Sequence, residues 1–181
     1  MADTSHKAAS QTLREIASWQ PGRGSADSDL LPELSTMVAR SRDLSRNHGI
    51  ASGAMQTLTD NIVGTGFRLS AKPDYKLLGK TKDWEEEWQT TVEGLWRSWS
   101  ETFMCDAAQS LNFHGLTTQV FKSCLINGEA LALALWLPER PVATTIQLIE
   151  PDRLSNPNNS TDSKNLRGGV EVDRFGAPVA Y

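Results

Sequence analysis

Cysteine is scarce: Cys105 and Cys124 are the only two in 181 residues. That excludes a disulfide framework, and a reducing compartment suits both as small core residues. Histidine is as sparse, with His6, His48 and His114 far apart, so no Cys/His pair has the close spacing of a structural zinc site. Cys105 and His114 are conceivable as a nucleophile and base, but their isolation favours separate packing roles. No Gly-x-Ser-x-Gly elbow occurs. Long apolar runs are missing as well. The longest, Ala130 to Leu137, has the length of a strand and falls short of the ~20 residues of a membrane-spanning helix. The opening "MADTSHKAASQTLREIASW" lacks the apolar block of a secretory signal. There is no excess of positive charge either. Eighteen Lys and Arg stand against 22 Asp and Glu, for a net charge of -4, which is not the footprint of a nucleic-acid binder. Apolar residues are few, at 39%. Six tryptophans compensate in part, because each can bury a large area. The length allows one domain, with or without an appendage.

What is present reads mainly as helix. Thr4 to Trp19 has weak helical character, with Leu13, Ile16 and Ala17 on one face. "QPGRGSADSD", Gln20 to Asp29, reads as a flexible connection. Residues 1–19 are therefore expected as an arm, 20–29 as a linker and 30–181 as the main domain. From Asp29 as N-cap, with Pro32 in the first turn, a helical stripe runs through Leu30, Leu34, Met37, Val38 and Leu44. A second helix spans Ile50 to Val63. "FRLSA", Phe67 to Ala71, alternates as a strand should. "DWEEEWQTTVEGLWRSWSE" gives a helix capped by Asp83. Its Trp84, Trp88, Trp96 and Trp99 form one aromatic face, expected to pack in the core. Stacking on single-stranded bases is the rival role, but it needs basic residues between the aromatics, and these are mostly acidic or neutral. A helix from Asn112 to Ile126 ends at Gly128 in a left-handed cap. "EALALALWL" is apolar on both faces and is expected as a central strand. "TTIQLIEPDRL" gives another strand, stopped by Pro151. Glu150 and Asp152 are a conceivable carboxylate pair, with closing the strand and orienting a turn the simpler role. Val170–Val172 and Pro178–Tyr181 read as a hairpin. The chain stops inside that last strand, so the rest of a longer polypeptide is expected to be absent. The fold class is α+β: a helical N-terminal region plus a small mixed or antiparallel sheet packed by amphipathic helices.

Two glycine motifs invite a nucleotide reading. In "DNIVGTGFRLSAKPD" a helix precedes the glycines and a strand is expected after them, the reverse of a dinucleotide fingerprint, and Leu69 holds the third glycine position. Gly64 is expected as a helix C-cap and Gly66 as a joint. In "LLGKTKDWEEEW" the Gly79-Lys80-Thr81 triplet resembles the end of a P-loop, yet Asp74 stands where its first glycine should be. No cofactor, catalytic or metal-binding residue is expected.

"ARSRDLSRNHGIASGAMQTLTDNIVGTGFRLSAKPD", Ala39 to Asp74, resembles the N-terminal region of lambda-type bacteriophage portal proteins. The tryptophan-rich helix, "CDAA" (Cys105 to Ala108), "NGEALALALW" (Asn127 to Trp136), "QLIEPDRLSNP" (Gln147 to Pro157) and "GGVEVDRFGAPVAY" (Gly168 to Tyr181) follow in the same order. The resemblance covers about Asp29 to Tyr181. It implies the outward-facing wing of a non-enzymatic structural protein that forms a ring, typically a dodecamer, at one capsid vertex. Double-stranded DNA passes through the channel. The terminase large subunit and head-completion proteins dock on regions beyond Tyr181, and the arm would meet a neighbouring subunit, the major capsid protein or a scaffold. Such proteins assemble in the bacterial host cytoplasm and remain in the virion, without a membrane. Arg40, Arg42 and Arg46 are expected to form ion pairs in the helix corner or with a neighbouring subunit, rather than contacts with packed DNA. A minor capsid or adaptor module is the alternative; a nucleotide-dependent packaging enzyme is a weaker one.

Overall fold

A computed structural model of the chain describes Ala8, Ser10 and residues 12–181. It divides into two units, residues 1–34 and 35–181.

In the first unit, most of the stretch from Thr4 to Ser10 lies outside the described residues. The Leu13–Trp19 stretch closes turns through Ile16 and Ala17 N–H bonds to the Leu13 carbonyl, at 3.1 and 2.8 Å, rather than continuing as a helix. Trp19 is exposed. Helix α1 (Ala26–Asn47) opens inside the stretch expected as linker, three residues before the expected cap at Asp29. Ser25 is the reason: its hydroxyl accepts the Ser28 N–H at 3.2 Å and its carbonyl accepts the Asp29 N–H at 3.1 Å. Pro32 therefore sits within the helix and not in its first turn.

In the second unit α1 runs on to Asn47, and α2 (Gly49–Ile62) follows at once. His48 makes that corner, its Nδ1 accepting the Ala51 N–H at 3.4 Å. Helix α3 (Lys82–Ser100) is capped by Thr81, whose hydroxyl accepts the Trp84 N–H at 3.2 Å; Asp83 lies in the first turn instead of at the cap. Helix α4 (Phe113–Asn127) has Asn112 as N-cap and ends at Gly128 with φ +83°. Strands β1 (Leu131–Trp136) and β2 (Thr144–Ile149) form an antiparallel pair in which Leu131 faces Ile149 and Trp136 faces Thr144. Strands β3 (Leu166–Arg167), β4 (Val170–Val172) and β5 (Pro178–Ala180) form a second antiparallel sheet in that order. The α+β class holds, with two small sheets rather than one.

Three expectations change here. Phe67–Ala71 forms no strand and pairs with none. Its alternation is real only at Ala71, which is buried while Phe67 and Leu69 are exposed, and the Ala71 N–H bonds to the Glu93 carboxylate of α3 at 3.0 Å in place of a ladder partner. Strand β1 is an edge, hydrogen-bonded on one side only, with Leu133 and Trp136 exposed. Being apolar on both faces, it looked central, but the elements around it leave it partly uncovered. Cys105 is fully buried as expected, whereas Cys124 is exposed.

The buried side chains are few. Val63, Ala71, Cys105, Leu116 and Pro151 are the apolar ones among the described residues, joined by Thr59, Ser100, Asp106 and Thr145. Most of them gather where the end of α3, the turn that follows it, α4 and β2 meet.

Candidate assembly surface

The turn between α3 and α4 is organised by one carboxylate. Asp106 is buried, and its two oxygens accept the N–H groups of Ala108, Ser110 and Leu111 at 2.9–3.0 Å and the Ser110 hydroxyl at 2.9 Å. Burial opposes the charged form, but these four donors outweigh it and hold the carboxyl below its ordinary range. Arg140 clasps the same turn from outside, donating to the Asp106 and Ala107 carbonyls at 3.2 and 2.7 Å. The Ala107 N–H reaches the Ile146 carbonyl of β2 at 2.8 Å. A sequence signal for this was available: an Asp followed within six residues by Ser110 and Asn112 is turn chemistry.

The aromatic face of α3 splits in two. Trp96 and Trp99 pack on Phe113 of α4, with ring centroids 5.0 and 5.5 Å away, and the Trp99 indole donates to the Thr144 carbonyl at 2.8 Å. Trp84 and Trp88 stack on each other at 6.1 Å, and Trp88 stays 38% exposed. The four do not form a single buried row, because the helix turns half of its apolar face outward. On the inward side Glu93 accepts from Ala71 and from Gln89, and these bonds lower its pKa.

The glycines carry backbone geometry. The C-cap of α2 is Val63, one residue before the expected Gly64; Gly64 follows it as the left-handed residue, with φ +53° and its N–H 3.3 Å from the Thr59 carbonyl. Gly66, φ +91°, is pressed against α4: a Cβ there would lie 2.9 Å from Nδ1 of His114. The residues that suggested a P-loop have other work. Thr81 caps α3, and the Lys80 ammonium sits 5.7 Å from the Trp84 ring centroid.

The three arginines differ sharply. Arg42 is a clamp. It donates to both carboxylate oxygens of Asp152 at 2.7 and 3.0 Å and, through Nε, to the Asn127 side chain at 2.7 Å. It thereby ties α1 to the end of α4 and to the 3₁₀ turn Pro151–Arg153. The bidentate bond lowers the Asp152 pKa and raises that of Arg42. A shallow groove beside the clamp is lined by Arg46, Lys122, Ile126, Leu131 and Leu148. Arg40 and Arg46 are exposed and make no ion pair among the described residues. No sequence spacing could have paired Arg42 with a residue 110 positions away. No group of three or more His, Cys, Asp or Glu with metal-holding geometry occurs among the described residues, and none of the helices there is long and apolar enough to cross a membrane.

Apolar side chains remain uncovered on α1, α2 and α3: Met37, Leu44, Ile50, Ile62 and Leu95 are all at least half exposed. This is surface suited to another protein rather than to a small ligand.

Comparison with known proteins agrees with that character. The chain is 34% identical over 171 residues to portal protein B of Escherichia phage lambda, covering 92% of this chain and 32% of the relative. It is 35% identical over 171 residues to the portal protein of Escherichia phage N15, with the same coverage. It is 27% identical over 161 residues to the probable portal protein of Halomonas phage phiHAP-1, covering 87% of this chain and 30% of that one. The chain thus spans about a third of the length of these relatives. The family model for phage portal proteins of the lambda family matches residues 12–181, and the chain belongs to that family.

Proposed function

We propose that this chain is the wing portion of a portal subunit, one of a homo-oligomeric ring, typically of twelve copies, at a capsid vertex, through which double-stranded DNA is packaged and ejected. The role is structural, without a catalytic step. The observation that carries the reading is the family match running from residue 12 to residue 181. The uncovered apolar faces of α1, α2 and α3 support it, because a ring subunit must keep apolar surface for its neighbours. The terminase large subunit and head-completion proteins would engage regions outside this stretch. The major capsid protein or a scaffold would meet the outer side of the wing. Assembly would take place in the host cytoplasm, and the ring would stay in the virion.

The test is assembly of the full-length gene product. Purified protein viewed by negative-stain electron microscopy is expected to form closed rings with a central channel, and native mass spectrometry should return a single multiple of the subunit mass. A persistent monomer at micromolar concentration overturns the reading. So does nucleotide hydrolysis by the purified protein that is lost in Lys80→Ala.

A further inference from the structure

A closed ring of identical subunits uses two different patches, one at each side of the subunit, which meet head to tail. The chain offers two exposed helix faces, one with an unpaired arginine and one with an unpaired glutamate among the described residues. On α1, Met37, Arg40 and Leu44 fall within an arc of about 60° at the helical period. Met37 is 51% and Leu44 50% exposed, and Arg40 between them is exposed and unpaired among the described residues. The opposite side of the same helix carries the Arg42 clamp, and Arg40 and Leu44 line a shallow groove with Ser35, Thr36, Ala39 and Asp43. Asp43, three residues on, accepts from the Asn47 amide at 2.6 Å, and Glu33 lies two turns back on the same face.

On α3, Glu87, Trp88, Thr91 and Leu95 share an arc of about 100°. All four are exposed, with Leu95 at 66%. Glu87 follows Asp83 by four residues, a like-charge spacing that weakens a helix unless a cation answers it. Asp83 has the helix N-terminus for compensation. The neighbouring Lys82 is taken by Glu86 at 3.5 Å, and neither Asp83 nor Glu87 has an ion-pair partner among the described residues.

We infer that the α1 face of Met37, Arg40 and Leu44 seats on the α3 face of Glu87, Trp88 and Leu95 of a second copy, with Arg40 opposite Glu87. The inference rests on the ring reading above and names the contact that builds the ring. The apolar residues supply the buried centre. The charge pair sets the register and rejects a face-to-face pairing of two α1 or two α3 patches.

Charge reversal in the full-length protein tests it, with ring assembly read by native mass spectrometry and sedimentation velocity. Arg40→Glu and Glu87→Arg are each expected to reduce ring assembly about tenfold or more, since like charges brought together across an interface are strongly unfavourable. The double variant should recover most of the wild-type assembly, and an equimolar mixture of the singles should recover part of it. Melting curves followed by circular dichroism serve as the folding control, and both positions are exposed enough that they should stay unchanged. If wild type forms rings and both single variants do so equally well, this contact is overturned while the ring reading stands. If the singles fail and the double variant fails too, with melting unchanged, the Arg40–Glu87 pairing is overturned. If wild type itself never assembles, the ring reading falls and takes the contact with it.

Discussion

The turn around Asp106 and the outward faces of α1 and α2 sit in the same unit and use their side chains in opposite ways. At the turn, all four donors around the Asp106 carboxylate are bonded, and Cys105 beside it is fully buried. On α1 no residue is buried, and on α2 only Thr59 is. The first region satisfies its groups within the chain. The second leaves apolar groups unsatisfied and is tied down by few long-range bonds, the Arg42 clamp on α1 and the Lys122–Gln56 bond from α4 to α2. The contrast teaches where stability and association reside: substitutions at the turn should unfold the chain, and substitutions on the helix faces should leave the fold intact and change what binds.

The largest effect should come from Asp106→Ala. It strips the acceptor from three backbone N–H groups and a hydroxyl in a part-buried turn, and each bond lost there costs roughly 1 kcal/mol or, to a charged acceptor, somewhat more. A loss of about 3 kcal/mol or more is expected in urea unfolding; a loss below 1 kcal/mol would show that water replaces the carboxylate without penalty. Next comes the pair Gly66→Ala and Gly64→Ala. Both glycines have positive φ, but only Gly66 would also drive a Cβ into His114. The expected costs are about 2–3 kcal/mol at Gly66 and about 1 kcal/mol at Gly64, and equal melting temperatures would remove the His114 contact from the account.

The clamp responds to acid. Its bond to Arg42 lowers the folded-state pKa of Asp152 below the ~3.9 of an unfolded aspartate. That contribution is therefore fully present above about pH 4 and is lost as pH falls through the folded value. Wild type should melt higher than Asp152→Asn at pH 6, and the two should converge as pH falls below the ordinary aspartate range. A gap that stays constant across this window would assign the effect to shape rather than charge. The smallest effect belongs to Ile50→Gln, at a site 81% exposed on α2. Stability should stay within ~0.5 kcal/mol of wild type, and a larger loss would mean that the α2 face is already covered within the chain.

The local chemistry of the fold was largely legible. Asn112 and Gly128 bracket α4 as their residue types predict, Pro151 ends β2, and the hairpin of β4 and β5 falls where its turn residues put it. Misreadings arose wherever burial had to be inferred from pattern alone. The run "LALALW" satisfies the pattern of a central strand, but its neighbours decide its exposure, and here there is a neighbour on one side only. Trp88 obeys helical periodicity with the other tryptophans, yet periodicity places a residue on a face without saying how far that face is covered. The candidate surface was half visible. The three arginines stood out in the sequence; that Arg42 is occupied and Arg40 free depends on Asp152 and Asn127, which no local rule connects to α1.

That long-range clamp has a consequence for the order of events on the ribosome. Arg42 leaves the exit tunnel 110 residues before Asp152, an interval of roughly 5–20 s at ordinary synthesis rates. Until Lys122 and Asn127 of α4 have been made, α1 and α2 are complete in sequence but lack their bonds to Gln56 and Arg42, and their apolar stripes are open to any other nascent chain. A polysome carrying many copies of this message would then hold many sticky helices close together for seconds at a time. Since α2 carries a single charge, Asp60, the arrival of α4 rather than charge repulsion is what first shelters it.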